Sequence, residues 1–156
     1  MKESWRAKIY RWGYPFYKIY RVIFRPRNIG ACCVIEYHGK LLLIRNTYGD
    51  KSWNFPGGGV KKNENPADAA IREASEEVGI KPKSITSIGE LWFDANRYND
   101  TIHAFSAVVE GDKFVIDPGE ISEARWFSKD GIPVENLSAV GKKIFEVFLK
   151  SKNHHQ

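Results

Sequence analysis

Residues 58–80 read GGVKKNENPADAAIREASEEVGI, and the reading of this stretch decides the fold. Gly57, Gly58 and Gly59 allow a sharp turn and a close approach of backbone to a ligand. Asn65 and Pro66 then supply an N-cap and a first helical residue, and Gly79 supplies a stop. The helix so bounded reads PADAAIREASEEV. Setting Glu73 at zero, Glu76 falls near −60° and Glu77 near +40°, at about 100° per residue. Ala67, Ala70, Ile71, Ala74 and Val78 fall together on the neighbouring arc. The helix therefore has one small-residue face that can lie close to a sheet and one face of three carboxylates.

Three carboxylates on one face repel each other unless a cation joins them. Arg72 stands one turn before Glu76 and can pair with it, but one arginine does not balance three acids. Oxygen ligands on a rigid helix suit Mg²⁺ or Mn²⁺, which also bind phosphate oxygens. The competing reading of the same residues is a solvated acidic helix face.

The spacing runs Gly58, five residues, Glu64, seven residues, then Arg72-Glu73-Ala74-Ser75-Glu76-Glu77-Val78-Gly79-Ile80. This resembles the Nudix box, G-x5-E-x7-R-E-U-x-E-E-x-G-U with U aliphatic. Every fixed position matches, and Ala74 is smaller than the usual aliphatic residue. The flanks resemble the family from about Ile29 to Leu149. The resemblance implies an α/β fold, a Nudix-type α/β/α sandwich around a mixed β-sheet. It also implies a metal-dependent hydrolase that cleaves a diphosphate linkage in a nucleoside diphosphate joined to another moiety, with Mg²⁺ or Mn²⁺. By matching positions it makes Glu73, Glu76 and Glu77 metal ligands, gives Arg72 the orienting of a glutamate, and gives Glu64 support of the loop or the outer shell of the metal. A general base often lies outside the box; Glu120 and then Glu123, in a late loop, are the candidates. The ADP-ribose subclass often carries a proline where Ala95 and Asn96 stand here, and dinucleoside polyphosphate hydrolases often carry a tyrosine near the place of Tyr98. Oxidised nucleoside triphosphates stay open. Two alternatives are a nucleotide-binding or sensing module without turnover and a membrane-associated hydrolase of a lipid-linked diphosphate.

The chain has 156 residues, 42% of them hydrophobic, and five Trp, which fits one folded domain with a proper core. No apolar run approaches the roughly 20 residues that span a bilayer. Cys32 and Cys33 are adjacent in an expected strand, so their side chains point to opposite faces and form neither a disulfide framework nor a zinc site. A reducing cytoplasm fits. The charge is divided unevenly. Residues 1–27 hold eight Lys or Arg against Glu3 alone, a balance of +7, while the remainder holds 16 basic and 18 acidic residues, or −2.

That basic segment, residues 1–28, is expected to be helical, with Trp5, Ile9, Trp12, Phe16, Ile19 and Ile23 as its apolar stripe and Gly13 and Pro15 as its break. Its first reading is docking on the domain or on a second subunit, which would make a homodimer. Peripheral contact with an anionic membrane comes second, and nucleic acid ranks last. The hydrolase domain is expected over residues 29–150, with a polar tail at 151–156. Ile29–Tyr37 and Lys40–Arg45 read as a hairpin turning at His38-Gly39. Arg45 at its end is a candidate for a substrate phosphate. Trp53 or Phe55, in WNFPGG, could stack on a base, although core packing is the commoner use of at least one. Ile85–Ala95 and Thr101–Glu110 read as strands around a loop that holds Tyr98. A short strand is expected at Glu123–Phe127, and Ser138–Lys150 as a helix with Val140, Ile144, Val147 and Phe148 inward.

Overall fold

A computed structural model of the chain describes residues 28–95 and 98–153. The basic aromatic segment lies outside the described residues, as do Asn96, Arg97 and the last three positions. Strand β1 (Asn28–Tyr37) turns through His38 and Gly39 into β2 (Lys40–Asn46). Both turn residues have positive φ, 44° and 75°, the geometry whose twist matches a two-residue hairpin. The hairpin is paired only at its closed end, Glu36 with Leu41 and Tyr37 with Lys40. Beyond that the two strands part, and the chain from Trp53 to Gly59 fills the gap. Asn54 bridges to Ile44 on one side, while β3 (Gly57–Gly59) pairs with Gly30–Cys32 on the other. Trp53 and Asn54 make isolated bridges only, to Leu137 and Ile44, and the regular pairing lies in the glycines themselves.

Strands β4 (Thr86–Ala95) and β5 (Tyr98–Val108) form the second hairpin. Tyr98 begins β5 opposite Ala95 instead of lying in a loop. β5 runs parallel to β1 in continuous register from Asn28–Asp100 to Glu36–Val108, and β6 (Ile121–Ser128) runs antiparallel to β2. The mixed sheet has the order β4-β5-β1-β2-β6, with β3 attached to β1.

Helix α1 (Pro66–Val78) covers one face and α2 (Ala139–Asn153) the other, which makes the α/β/α sandwich. Strand alternation divides β1 between them. Ala31, Cys33 and Ile35 join Ala69, Ala70, Ala74 and Val78 beneath α1. Cys32 and Val34 join Ile144, Phe145 and Phe148 beneath α2. The adjacent cysteines therefore do face opposite cores, and burial pushes both thiols up to about 12. Ala74 is fully buried, so the small side chain is what the close approach of helix to sheet demands.

The α2 stripe differs in part from the period expected. Phe145 is buried, whereas Val140 and Val147 are half-buried. The helix also continues through Ser151, Lys152 and Asn153, into the expected polar tail. Two contacts hold that last turn. Lys152 Nζ lies 3.0 Å from Glu36 Oε2, and Ser151 Oγ donates to the Phe148 carbonyl at 2.7 Å.

Candidate active site

Helix α1 is fixed at both ends by its own sequence. The Asn65 side chain accepts the Ala67 N–H at 2.9 Å, and Gly79 takes the left-handed conformation while its N–H caps Ser75. The caps set the rotation at which Glu73 and Glu77 meet the glycine strand. Gly57 N–H donates to Glu77 Oε2 at 2.8 Å. A Cβ on Gly57 would stand 2.5 Å from the Ala31 carbonyl oxygen, and one on Gly58 would stand 2.6 Å from the Glu73 carboxyl carbon. Glycine at 57 is thus required by the backbone of β1, and glycine at 58 by the Glu73 carboxylate.

Arg72 binds the loop to the helix. Its Nε and Nη2 form a fork on the two Glu64 oxygens at 2.7 and 2.9 Å, and Nη2 also donates to the Gly59 carbonyl at 2.9 Å. Its Nη1 reaches Glu73 Oε1 at 2.5 Å and Glu76 Oε2 at 3.3 Å. The Arg72 fork, with the Lys61 N–H, holds the Glu64 carboxyl down to about 2. The guanidinium is correspondingly raised, first by its bonds to Glu64.

Glu73 and Glu77 lie in the opposite condition. Burial raises the Glu77 carboxyl well above the ordinary range, against the pull of Gly57 N–H, and the charges of Glu73, Glu120 and Glu76 add to it. Burial likewise raises Glu73 even with Arg72 alongside. Among the described residues no lysine or arginine pairs with Glu77. The donor set is all oxygen and short of positive charge, which fits a hard divalent cation. No three acidic, histidine or cysteine side chains among the described residues converge as they stand, because Arg72 occupies the space between Glu73 and Glu76.

Glu120 comes to this cluster from far along the chain. The loop after β5 hydrogen-bonds to the end of α1, Val115 N–H to the Val78 carbonyl at 2.9 Å and Asp117 N–H to the Glu77 carbonyl at 3.0 Å. Asp117 then turns the chain, its carbonyl accepting the N–H groups of Glu120 and Ile121 and its side chain that of Gly119. Residues 113–116 belong to this loop. Glu123 goes elsewhere. It pairs with Arg45 across the β2–β6 ladder at 3.0 Å and with Arg125, two residues on in β6, at 2.8 Å. Arg45 is thereby tied to Glu123, and its guanidinium lies 4.2 Å over the Trp53 ring.

On the α2 side of the glycine strand, the parted strands leave a cleft of about 440 Å³. Phe55 and Gly57–Gly59 line it, whereas Trp53 is buried beside Phe127, with ring centroids 5.0 Å apart. Tyr98 is placed only by its backbone. Asn46 and Asn54 also line the cleft, and sequence reading passed them over. Asn54 Oδ1 accepts from Ser138 Oγ, and the buried Asn46 Oδ1 has no hydrogen-bond partner among the described residues. Asn46 opens a polar loop and Asn54 stands between two aromatic residues, so no sequence signal marks them.

The NUDIX domain family matches residues 24–148. A curated RNA pyrophosphohydrolase from Hydrogenovibrio crunogenus is 41% identical over 66 residues, which are 42% of this chain and 38% of that protein. The chain thus matches well under half the length of that relative. Among solved structures, a MutT protein from Methanosarcina mazei superposes with a TM-score of 0.69 at 26% identity, over 82% of this chain and 96% of the other. A MutT NUDIX hydrolase from Burkholderia pseudomallei gives 0.70 at 24% identity, over 78% and 97%.

Proposed function

Because the chain belongs to the NUDIX family, we propose that it hydrolyses a phosphoric anhydride bond in a nucleotide-type polyphosphate. Glu73, Glu76 and Glu77 would hold Mg²⁺ or Mn²⁺. The observation that carries this reading is the buried Glu77 carboxylate, held by one backbone N–H and surrounded by other acids. A divalent ion, when bound, supplies neutralisation of phosphate oxygens and a water of lowered pKa.

The residues of the chain have separable tasks. Glu64 and the Gly59 carbonyl secure Arg72 independently of Glu73 and Glu76, so those two carboxylates can exchange the guanidinium for a cation without freeing the loop. Gly57 N–H fixes the Glu77 rotamer, and Gly58 leaves room for the Glu73 carboxylate. Glu120, whose charge acts on both Glu73 and Glu77, is the group we assign to accept a proton from the attacking water. The carboxylate of Glu123 pairs with Arg45 and Arg125. The cleft of about 440 Å³ has a size suited to a nucleoside, with Ile44, Phe55 and Ile144 as apolar walls and Asn46 and Asn54 as polar points. A substrate lying across Gly57–Gly59 would direct its phosphates to the carboxylates. The 5′ end of an RNA would present the same polyphosphate as a free nucleotide.

The test is a Mg²⁺- and Mn²⁺-dependent screen over nucleoside polyphosphates, dinucleoside polyphosphates, nucleotide sugars and 5′-triphosphorylated RNA, reading phosphate, pyrophosphate or monophosphate release. Turnover abolished by chelator and by E77Q is expected. Nucleotide binding by calorimetry with no turnover of any substrate would replace this reading with that of a sensing module.

A further inference from the structure

The row of residues Ile29, Thr101 and Trp92 crosses three strands at one end of the sheet, Thr101 being opposite Ile29 on β1 and Trp92 on β4. Two residues on, Ala31 continues the same face into the core beneath α1, with half-buried His103 opposite it on β5. The helix stops short of the outer row, and Ile29 is 48% and Trp92 67% exposed. Two large apolar side chains thus flank a threonine on an uncovered face about 10 Å wide, which matches the width of one helix.

We propose that this row is the docking surface for residues 1–27 of the same chain. Three observations select that occupant. The described chain begins at Asn28, one residue before Ile29, so the segment starts at the edge of the row. The sequence of the segment carries a stripe at helical spacing, Trp5, Ile9, Trp12, Phe16, Ile19 and Ile23, which needs an apolar partner. Its balance of +7 also meets Glu90, two residues before Trp92 on the same face of β4. A second copy would have to compete with a tethered segment whose effective concentration is on the order of millimolar, well above micromolar protein. Ile29 also lines the cleft assigned to the substrate, so the test reads accessibility of the row and not turnover.

Alkylation of a cysteine placed in the row tests it in the full chain. Thr101→Cys keeps Ile29 and Trp92, and the buried Cys32 and Cys33, with thiols pushed up to about 12, give little background. The introduced thiol should react about tenfold more slowly with iodoacetamide when the segment is otherwise native than in a chain that also carries Trp5→Ser, Trp12→Ser and Phe16→Ser, and the difference should survive a roughly hundredfold dilution. Acrylamide quenching of the Trp92 emission, taken as the difference between the native chain and W92F, gives the same reading without a cysteine. Equal rates in the two chains would overturn the proposal. Protection lost on dilution would assign the row to a second copy, and protection seen only with anionic lipid vesicles would assign it to a membrane; either overturns it.

Discussion

Alanine at position 58 offers a narrow probe of the carboxylate cluster. Gly58 lies in β3 without a positive φ, so an alanine there meets no backbone penalty. Its Cβ would stand 2.6 Å from the Glu73 carboxyl carbon and 2.7 and 2.8 Å from its oxygens. The carboxylate would have to retreat by at least about 0.4 Å to reach even the shortest contact that real Cβ atoms make. The displaced group is the one that accepts Arg72 Nη1 at 2.5 Å, so the whole Glu73–Arg72–Glu76 arrangement shifts with it. Displacements on the ångström scale at a reacting centre cost up to about 10²-fold. We expect G58A to lower kcat by about 10- to 100-fold while costing about 1–2 kcal/mol of stability. Gly59 is the internal control. A Cβ there meets nothing within 4 Å, and G59A should keep nearly full activity and stability. Glu73→Asp added to G58A shortens the obstructed side chain and should recover part of the lost kcat. The measurements are steady-state turnover on the best substrate of the screen and thermal unfolding of each variant. Full kcat in G58A, or an equal loss in G59A, would refute the assignment of Glu73 to the working site.

Glu77→Gln should cut kcat by about 10²-fold or more yet raise the melting temperature of the metal-free protein near neutral pH, because it removes a buried, poorly compensated charge; a lowered melting temperature would contradict that cause. Glu73 and Glu77 are both raised, so the folded state holds their protons more tightly than the unfolded chain. Their effect on the metal-free protein should therefore be a loss of stability as pH rises from the ordinary carboxylate range through the raised values, read by melting in chelator, while activity at saturating metal should fall on the acid side. Glu36 has the opposite sign: burial opposes its ionisation, but Lys152 and Lys129 outweigh burial and hold the carboxyl below its ordinary value. Glu36→Gln should cost about 1–3 kcal/mol at neutral pH, a cost that fades on acidification through the ordinary carboxylate range, with kcat unchanged.

Helix α1, its caps, its acidic face and the burial of Ala70, Ala74 and Val78 could be read from residues 65–79, because caps and 3.6-residue periodicity are properties of a short segment, whereas Ala69, outside the expected face, is buried and Ala67 and Ile71 are only half-buried. The same is true of the β1–β2 turn and of the opposite facing of Cys32 and Cys33. What needed the tertiary structure was every choice between residues with the same local pattern. Glu120 and Glu123 are three residues apart and equally acidic, yet the loop tied by Asp117 N–H to the Glu77 carbonyl lets the charge of one act on Glu73 and Glu77, and the β2–β6 register ties the other to Arg45. Trp53 and Phe55 share one short motif, yet only Phe55 lines the cleft, because that cleft exists where β1 and β2 part around the glycines. Arg72 was legible as a partner of Glu76 one turn away, but its strongest bonds go to Glu64, across a loop whose path no helical period encodes. The sequence determines which groups are available and how neighbours along one element face. Which groups meet depends on contacts between distant segments, and these are set by how the sheet and its two helices pack.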